Sequence, residues 1–165
     1  MSNLLDIFTK IKAFVFDVDG VLTDGSVLVT EEGELLRNMN IKDGYALKKA
    51  IKEGFKIAII TGGRSQGVVK RLNGLGITDI YIGAEEKTDA FNDFCNLYNL
   101  EPSQIAIMGD DNPDLPLLLK SGLSSCPKDA VPDVLDYCAF ISSQEGGRGA
   151  VRDLLEKVLK AQGKW

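Results

Sequence analysis

The stretch Phe14-Val-Phe-Asp-Val-Asp-Gly-Val-Leu-Thr-Asp-Gly25 decides how the rest of the chain is read. Residues 13–16 form an unbroken apolar run, the pattern of a parallel strand covered on both faces. The run ends in Asp17 and Asp19, two carboxylates two residues apart. A carboxylate at the mouth of an apolar strand costs desolvation energy unless a cation or hydrogen-bond donors meet it. The remainder of the sequence has to supply that partner.

Working outward, similar runs rich in Val and Ile return at residues 56–60, 80–82, 105–108 and 139–141. Helical stretches fall between them at 44–53, 65–75, 87–98 and 114–121, with Asp43 and Ser65 as N-caps. A last amphipathic segment, 149–162, carries Val151, Leu154, Leu155, Val158 and Leu159 at helical spacing. Alternating strand and helix predicts an α/β fold, a doubly wound, Rossmann-like parallel sheet. Residues 26–30 and 34–40, around Glu31-Glu-Gly33, predict a β-hairpin projecting from the loop after the first strand. That insert is too short for a cap domain.

The 165 residues, 44% hydrophobic, suffice for one full-sized core and predict a single domain over 1–165. A net charge of −5, from 24 acidic and 19 basic residues, argues against nucleic-acid and membrane-surface partners. No apolar run approaches the roughly 20 residues that span a bilayer. The N-terminal Met1-Ser-Asn-Leu-Leu-Asp6 lacks the basic start of a signal peptide, so a cytoplasmic protein is expected. Cys95, Cys126 and Cys138 lack a CxxC spacing and read as reduced structural thiols.

Histidine is absent. Imidazole acid/base work and His-ligated metals are thereby excluded, which leaves aspartate as the leading proton carrier. In an open α/β sheet, ligands bind beyond the carboxyl ends of the strands. The predicted strands deliver Asp17 and Asp19, then Thr61 and Gly62, then Gly109, Asp110, Asp111 and Asp114 to that edge. Carboxylates so gathered repel one another by several kcal/mol at low effective dielectric. An all-oxygen ligand set calls for a hard dication, Mg²⁺, which completes its shell with water and a phosphate oxygen. Thr61 offers a hydroxyl, Gly62 an amide at a strand-to-helix turn, and Lys87 a point charge for phosphate. Phosphoryl transfer needs little beyond such positioned charges. Asp17, at the rigid strand end, is the expected nucleophile, and Asp19 the group that protonates the leaving oxygen and then deprotonates water. A phospho-accepting signalling domain shares the acidic cluster, Thr and Lys, but has no use for Asp19 as proton donor.

With those residues in place, the chain resembles the haloacid dehalogenase superfamily. Phe16-Asp-Val-Asp-Gly-Val-Leu-Thr23 is similar to its first motif, Ile60-Thr-Gly62 to its second, Lys87 to its third, and Gly109-Asp-Asp-Asn-Pro-Asp114 to its fourth. The resemblance implies Mg²⁺ held by the Asp17 carboxylate, the Asp19 main-chain carbonyl and Asp110, with Asp111 and Asp114 supporting from behind. Asn40-Ile-Lys-Asp-Gly-Tyr45, Gly146-Gly-Arg-Gly-Ala-Val-Arg152 and Ala161-Gln-Gly-Lys164 extend the likeness to the capless family of 3-deoxy-D-manno-octulosonate 8-phosphate phosphatases. That family implies a sugar-acid phosphate substrate, a place in lipopolysaccharide biosynthesis, and a homotetramer in which hairpins associate and a neighbour helps close each site. It also implies substrate contacts at Asn40, Asp43, Gly44, Lys48 and Arg71, with Lys87 on phosphate. Taken alone, Asp43 is equally a helix cap and Lys48 a solvated side chain. Two positions depart from the family pattern. Thr61-Gly-Gly63-Arg64 replaces the usual Thr-Gly-Arg, and Lys48 stands where Arg is common, which removes a bidentate donor. Arg64 is a candidate to supply the missing contact. Phosphatases of nine-carbon sugar-acid 9-phosphates are the alternative; they carry an acidic residue where this chain has Gly63.

Overall fold

The computed structural model describes residues 3–165; Met1 and Ser2, which begin the N-terminal stretch considered for a signal peptide, lie outside them. Asn3 accepts a hydrogen bond from the Leu5 amide and starts α1 (Leu4–Phe8), which leads into β1 (Ala13–Phe16). The loop after β1 carries an antiparallel hairpin, β2 (Leu28–Val29) and β3 (Leu35–Leu36). Then follow α2 (Ile41–Lys52), β4 (Lys56–Ile60), α3 (Gln66–Gly74), β5 (Asp79–Tyr81), α4 (Lys87–Tyr98) and β6 (Ile105–Met108). A 3₁₀ turn (Asn112–Asp114) runs into α5 (Leu115–Leu118), and β7 (Leu123–Cys126), α6 (Pro132–Tyr137), β8 (Phe140–Ile141) and α7 (Ala150–Ala161) complete the chain.

Six strands form one parallel sheet in the order β5-β4-β1-β6-β7-β8. Alternate residues of its strands feed two cores. Phe14 and Phe16 pack with Leu47 of α2, Leu72 of α3 and the apolar stripe of α7. Ala13, Val15, Ile105 and Ile107 pack with Phe91 and Phe94 of α4, Leu117 of α5 and Val134 of α6. Helices therefore cover both faces, which is why the central strands β1 and β6 are apolar throughout instead of alternating. From β1 the chain builds outward to β4 and β5, then crosses to β6 and builds the other way. This reversal opens a crevice between the carboxyl ends of β1 and β6, the position at which open α/β sheets bind ligands.

Local differences from the expected elements have identifiable causes. Strand β7, Leu-Ser-Ser-Cys, is half polar and escapes a search for apolar runs; inside the sheet its Ser125 hydroxyl donates to the Ile107 carbonyl at 2.7 Å. Helices α1 and α6 have five and six residues, too short to show a period. Helix α2 begins at Ile41, earlier than expected, because Asn40 caps it by accepting from the Lys42 and Asp43 amides at 2.8 and 3.4 Å. Ser65 caps α3 as expected. The segment expected as one helix from Asp114 is split between the 3₁₀ turn and α5. No helix among the described residues is long and apolar enough to cross a membrane. The three cysteines are free, two of them buried.

Candidate active site

Strand β1 places Asp17 where its amide still donates to Met108 of β6, at 3.2 Å, so the backbone is held by the sheet while the side chain leaves it. Beyond it, the amides of Val21, Leu22 and Thr23 all donate to the Val18 carbonyl, and Thr23 Oγ1 accepts from Gly20 and Gly25 at 3.2 Å. Gly20 closes this turn at φ +85°. A Cβ there would sit 1.9 Å from Asp110 Oδ2, so only glycine lets the Asp110 carboxylate lie against the β1 loop. From the other side, Gly147 donates to the Val21 carbonyl at 2.9 Å, and a Cβ on Gly146 would meet the Gly20 carbonyl oxygen at 1.9 Å. The Gly146-Gly147 turn thus braces the nucleophile loop.

Asp17, Asp19, Thr61, Gly62, Lys87, Asp110, Asp111 and Asp114 line one cavity of about 320 Å³ at this edge. Lys87, at the start of α4, is only 8% exposed, although taken alone it reads as a surface lysine. Its Nζ donates to Asp114 Oδ1 at 2.7 Å and stands 3.2 Å from Asp17 Oδ1, close enough for an ion pair but misaligned for a hydrogen bond. Asp114 is fully engaged, since its Oδ2 accepts from the Asp110 amide at 3.0 Å and from the Asp111 amide at 3.4 Å. A Cβ on Gly109 would collide with it at 2.4 Å. Asp111 is exposed and turns to the Asn112 amide, starting the 3₁₀ turn.

Carboxylate oxygens of Asp17, Asp110 and Asp114 lie within 4.8 Å of one another. Burial pushes Asp17 up to about 6, with Asp114 adding to the shift and Lys87 opposing it. Burial likewise pushes Asp110 up to about 7, reinforced by Asp114, Asp17 and Asp111. Burial opposes the charge of Lys87, but Asp17 and Asp114 outweigh it and raise the ammonium above its ordinary value. Asp17 Oδ1 and Asp110 Oδ1 are buried with no hydrogen-bond partner among the described residues. One lysine against three carboxylates leaves negative charge uncompensated, and the two free oxygens suit one further cation. Oxygen donors without His or Cys select a hard ion such as Mg²⁺.

Thr61 is buried, and its Oγ1 accepts from the Gly63 amide at 3.1 Å, which leaves the hydroxyl proton free for a ligand. Gly62 is exposed with open space around it; α3 starts only at Gln66, so its amide belongs to the turn and not to the helix N-terminus expected from the sequence.

The residues expected on substrate are placed elsewhere within the chain. Asn40 caps α2, and its Nδ2 donates to the Gly147 carbonyl at 3.2 Å. Asp43 is 1% exposed, accepts from the Arg152 amide at 2.8 Å and so caps α7; burial raises its pKa, opposed by the Arg152 and Gly149 amides. Gly44 lets Arg71 lie close, since a Cβ there would stand 2.7 Å from Arg71 Nη2. Lys48 and Arg71 are exposed and do not line the cavity. Arg64 is exposed beside Glu85, at 3.8 Å.

One residue at the site was missed from sequence. Arg37, just after β3, pairs with both Asp19 oxygens at 2.8 and 3.2 Å. The available signal was a lone cation closing an apolar hairpin strand one turn from an acidic loop.

A parallel sheet with paired aspartates at the β1 tip, facing Lys87 and the β6 carboxylates, defines a phosphoryl-handling hydrolase of the haloacid dehalogenase type. Accordingly, the family described as haloacid dehalogenase-like hydrolase matches residues 73–154. The Escherichia coli K12 3-deoxy-D-manno-octulosonate 8-phosphate phosphatase KdsC is 39% identical over 94% of this chain and 82% of its own. The structure of the Yersinia pestis phosphatase of that name superposes with a TM-score of 0.96 at 36% identity, covering 98% of this chain and 87% of the other. The Moraxella catarrhalis phosphatase, solved with magnesium ion, phosphate ion and KDO, gives 0.93 at 33% identity, covering 98% and 94%. The chain belongs to the family of 3-deoxy-D-manno-octulosonate 8-phosphate phosphatases.

Proposed function

We propose that the chain is a Mg²⁺-dependent phosphomonoesterase acting on 3-deoxy-D-manno-octulosonate 8-phosphate. The observation that carries this reading is the free, buried Asp17 Oδ1 facing Asp110 and Lys87 in a cavity large enough for a phosphoryl group.

Asp17 attacks phosphorus in line, forming an aspartyl-phosphate as the bond to the sugar oxygen breaks. Asp19 gives its proton to that oxygen, then takes one from the water that hydrolyses the intermediate, so both side chains return to their starting states. Lys87 binds a phosphoryl oxygen while keeping Asp114 and Asp17 from forcing each other apart, and the Thr61 hydroxyl and Gly62 amide donate to the others. A Mg²⁺ held by Asp17, Asp110 and the Asp19 carbonyl would neutralise phosphoryl charge. Asp111 and Asp114 hold the loop behind it.

The hairpin leaves Leu28, Val29, Leu35 and Leu36 exposed, at 48–67%, a surface suited to the expected homotetramer. Lys48 and Arg71, outside the cavity, would meet substrate only through a second subunit. The free thiols agree with a cytoplasmic enzyme. Phosphate release from the eight-carbon 8-phosphate, a nine-carbon sugar-acid 9-phosphate and acetyl phosphate, each with Mg²⁺, tests the assignment. Fastest turnover on the eight-carbon ester supports it. Preference for the nine-carbon ester would reassign the substrate, and phosphorylation without turnover would refute hydrolysis.

A further inference from the structure

The proposed reaction leaves Arg37 without a role, yet among the described residues no other side chain hydrogen-bonds the Asp19 carboxylate. Arg37 Nε donates to Asp19 Oδ1 at 2.8 Å and Nη2 to Oδ2 at 3.2 Å, while Nη1 donates to the Leu35 carbonyl at 2.8 Å. The guanidinium is thus fixed on three sides, and its side chain is 9% exposed against 38% for Asp19. A solvated surface pair contributes little, but a shielded, bidentate one fixes direction as well as charge. Arg37 belongs to a hairpin whose strands, among the described residues, pair with each other and not with the main sheet, so the sheet ladder does not require this contact. Gly63 lies beside the pair, where a Cβ would make ordinary contact at 3.5 Å from Asp19 Oδ2 and 3.6 Å from Arg37 Nη2, on the side of the cavity that Gly63 lines.

We propose that Arg37 is a positioning residue for the first half of the reaction, aiming Asp19 at the leaving oxygen and stabilising the charge that proton donation leaves on it. The inference rests on the reading of Asp19 as proton donor. As the Asp17–phosphorus bond forms, the electron pair of the breaking P–O bond passes to the sugar oxygen. The proton of Asp19 follows it, and the new carboxylate lies in the guanidinium's grip. The contact is therefore strongest after donation, which favours poor leaving groups.

The test compares wild type, Arg37→Met, Arg37→Lys and Asp19→Asn on substituted phenyl phosphates and on an alkyl phosphate without a carboxylate, under saturating Mg²⁺. p-Nitrophenolate departs without a proton, so Arg37→Met should keep kcat/KM for its ester within about twofold. For the alkyl ester, kcat should fall about 10- to 100-fold at unchanged KM, the worth of a hydrogen bond to a charged group. Arg37→Lys should recover part of the loss, and free guanidinium should rescue Arg37→Met. An equal loss on every ester would mean a purely structural role and overturn the inference. So would an unaffected alkyl ester in Arg37→Met when Asp19→Asn loses it. If Asp19→Asn keeps the wild-type dependence on leaving group, the premise about Asp19 fails, and the inference with it.

Discussion

Removing divalent metal should make the protein less stable as pH rises from about 5 to 8. Burial and carboxylate neighbours hold Asp17 at about 6 and Asp110 at about 7. In the unfolded chain both titrate near about 3.9. Between those values the folded state keeps protons that the unfolded state has released, so stability declines with pH until the folded values are passed and is then level. Above pH 5, about one unit of this remains for Asp17 and about two for Asp110, at 1.36 kcal/mol each. Discounting the partial exposure of Asp110 and the repulsion counted in both leaves about 3 kcal/mol. In a domain of this size that corresponds to a Tm about 6–12 °C lower at pH 8 than at pH 5. The chain contains no histidine, so little else titrates in the window, and Asp43, also raised by burial, acts with the same sign. Saturating Mg²⁺ should flatten the profile, because the ion replaces the protons. Thermal unfolding followed by circular dichroism at pH 5, 6, 7 and 8, with EDTA or Mg²⁺, measures both curves. A flat or rising Tm in EDTA, or a Mg²⁺ shift equal at pH 5 and 8, would refute the coupling of these carboxylates to the ion.

Asp17→Asn should lower turnover by about 10⁴-fold or more, while raising the metal-free Tm at pH 8 by removing a buried charge; an active folded variant would rule out covalent catalysis there. Lys87→Met strands Asp17 and Asp114 and should cost about 3–5 kcal/mol, more at pH 8 than at pH 5, as read by Tm. Gly20→Ala presses a methyl into Asp110 and should weaken Mg²⁺ binding about 10- to 100-fold by calorimetry. Asp43→Ala removes the α7 cap and should cost about 1–2 kcal/mol without changing KM; a raised KM at unchanged Tm would return Asp43 to substrate binding.

The tips of β1, β4 and β6 were readable because each joins an apolar run to residues that are costly to bury without a purpose. That rule located Asp17, Asp19, Thr61 and Asp110 before any strand order was known. The order itself was not readable, since β4 and β6 flanking β1 is a matter of tertiary packing, and β7 was hidden by its two serines. The contacts that Asp43 and Arg37 make within the chain escaped the sequence for one reason. Their partners, the Arg152 amide and Asp19, lie 109 and 18 residues away, beyond the reach of local patterns.

The Gly146-Gly147 turn, wedged beneath the nucleophile loop, also imposes an order of events during translation. Asp17 and Asp19 leave the ribosome well before their brace, which lies more than 120 residues further along the chain. A chain halted before Gly146 would carry Asp17 and Asp19 on an unsupported loop, so phosphatase activity becomes a property only of chains extended through that turn.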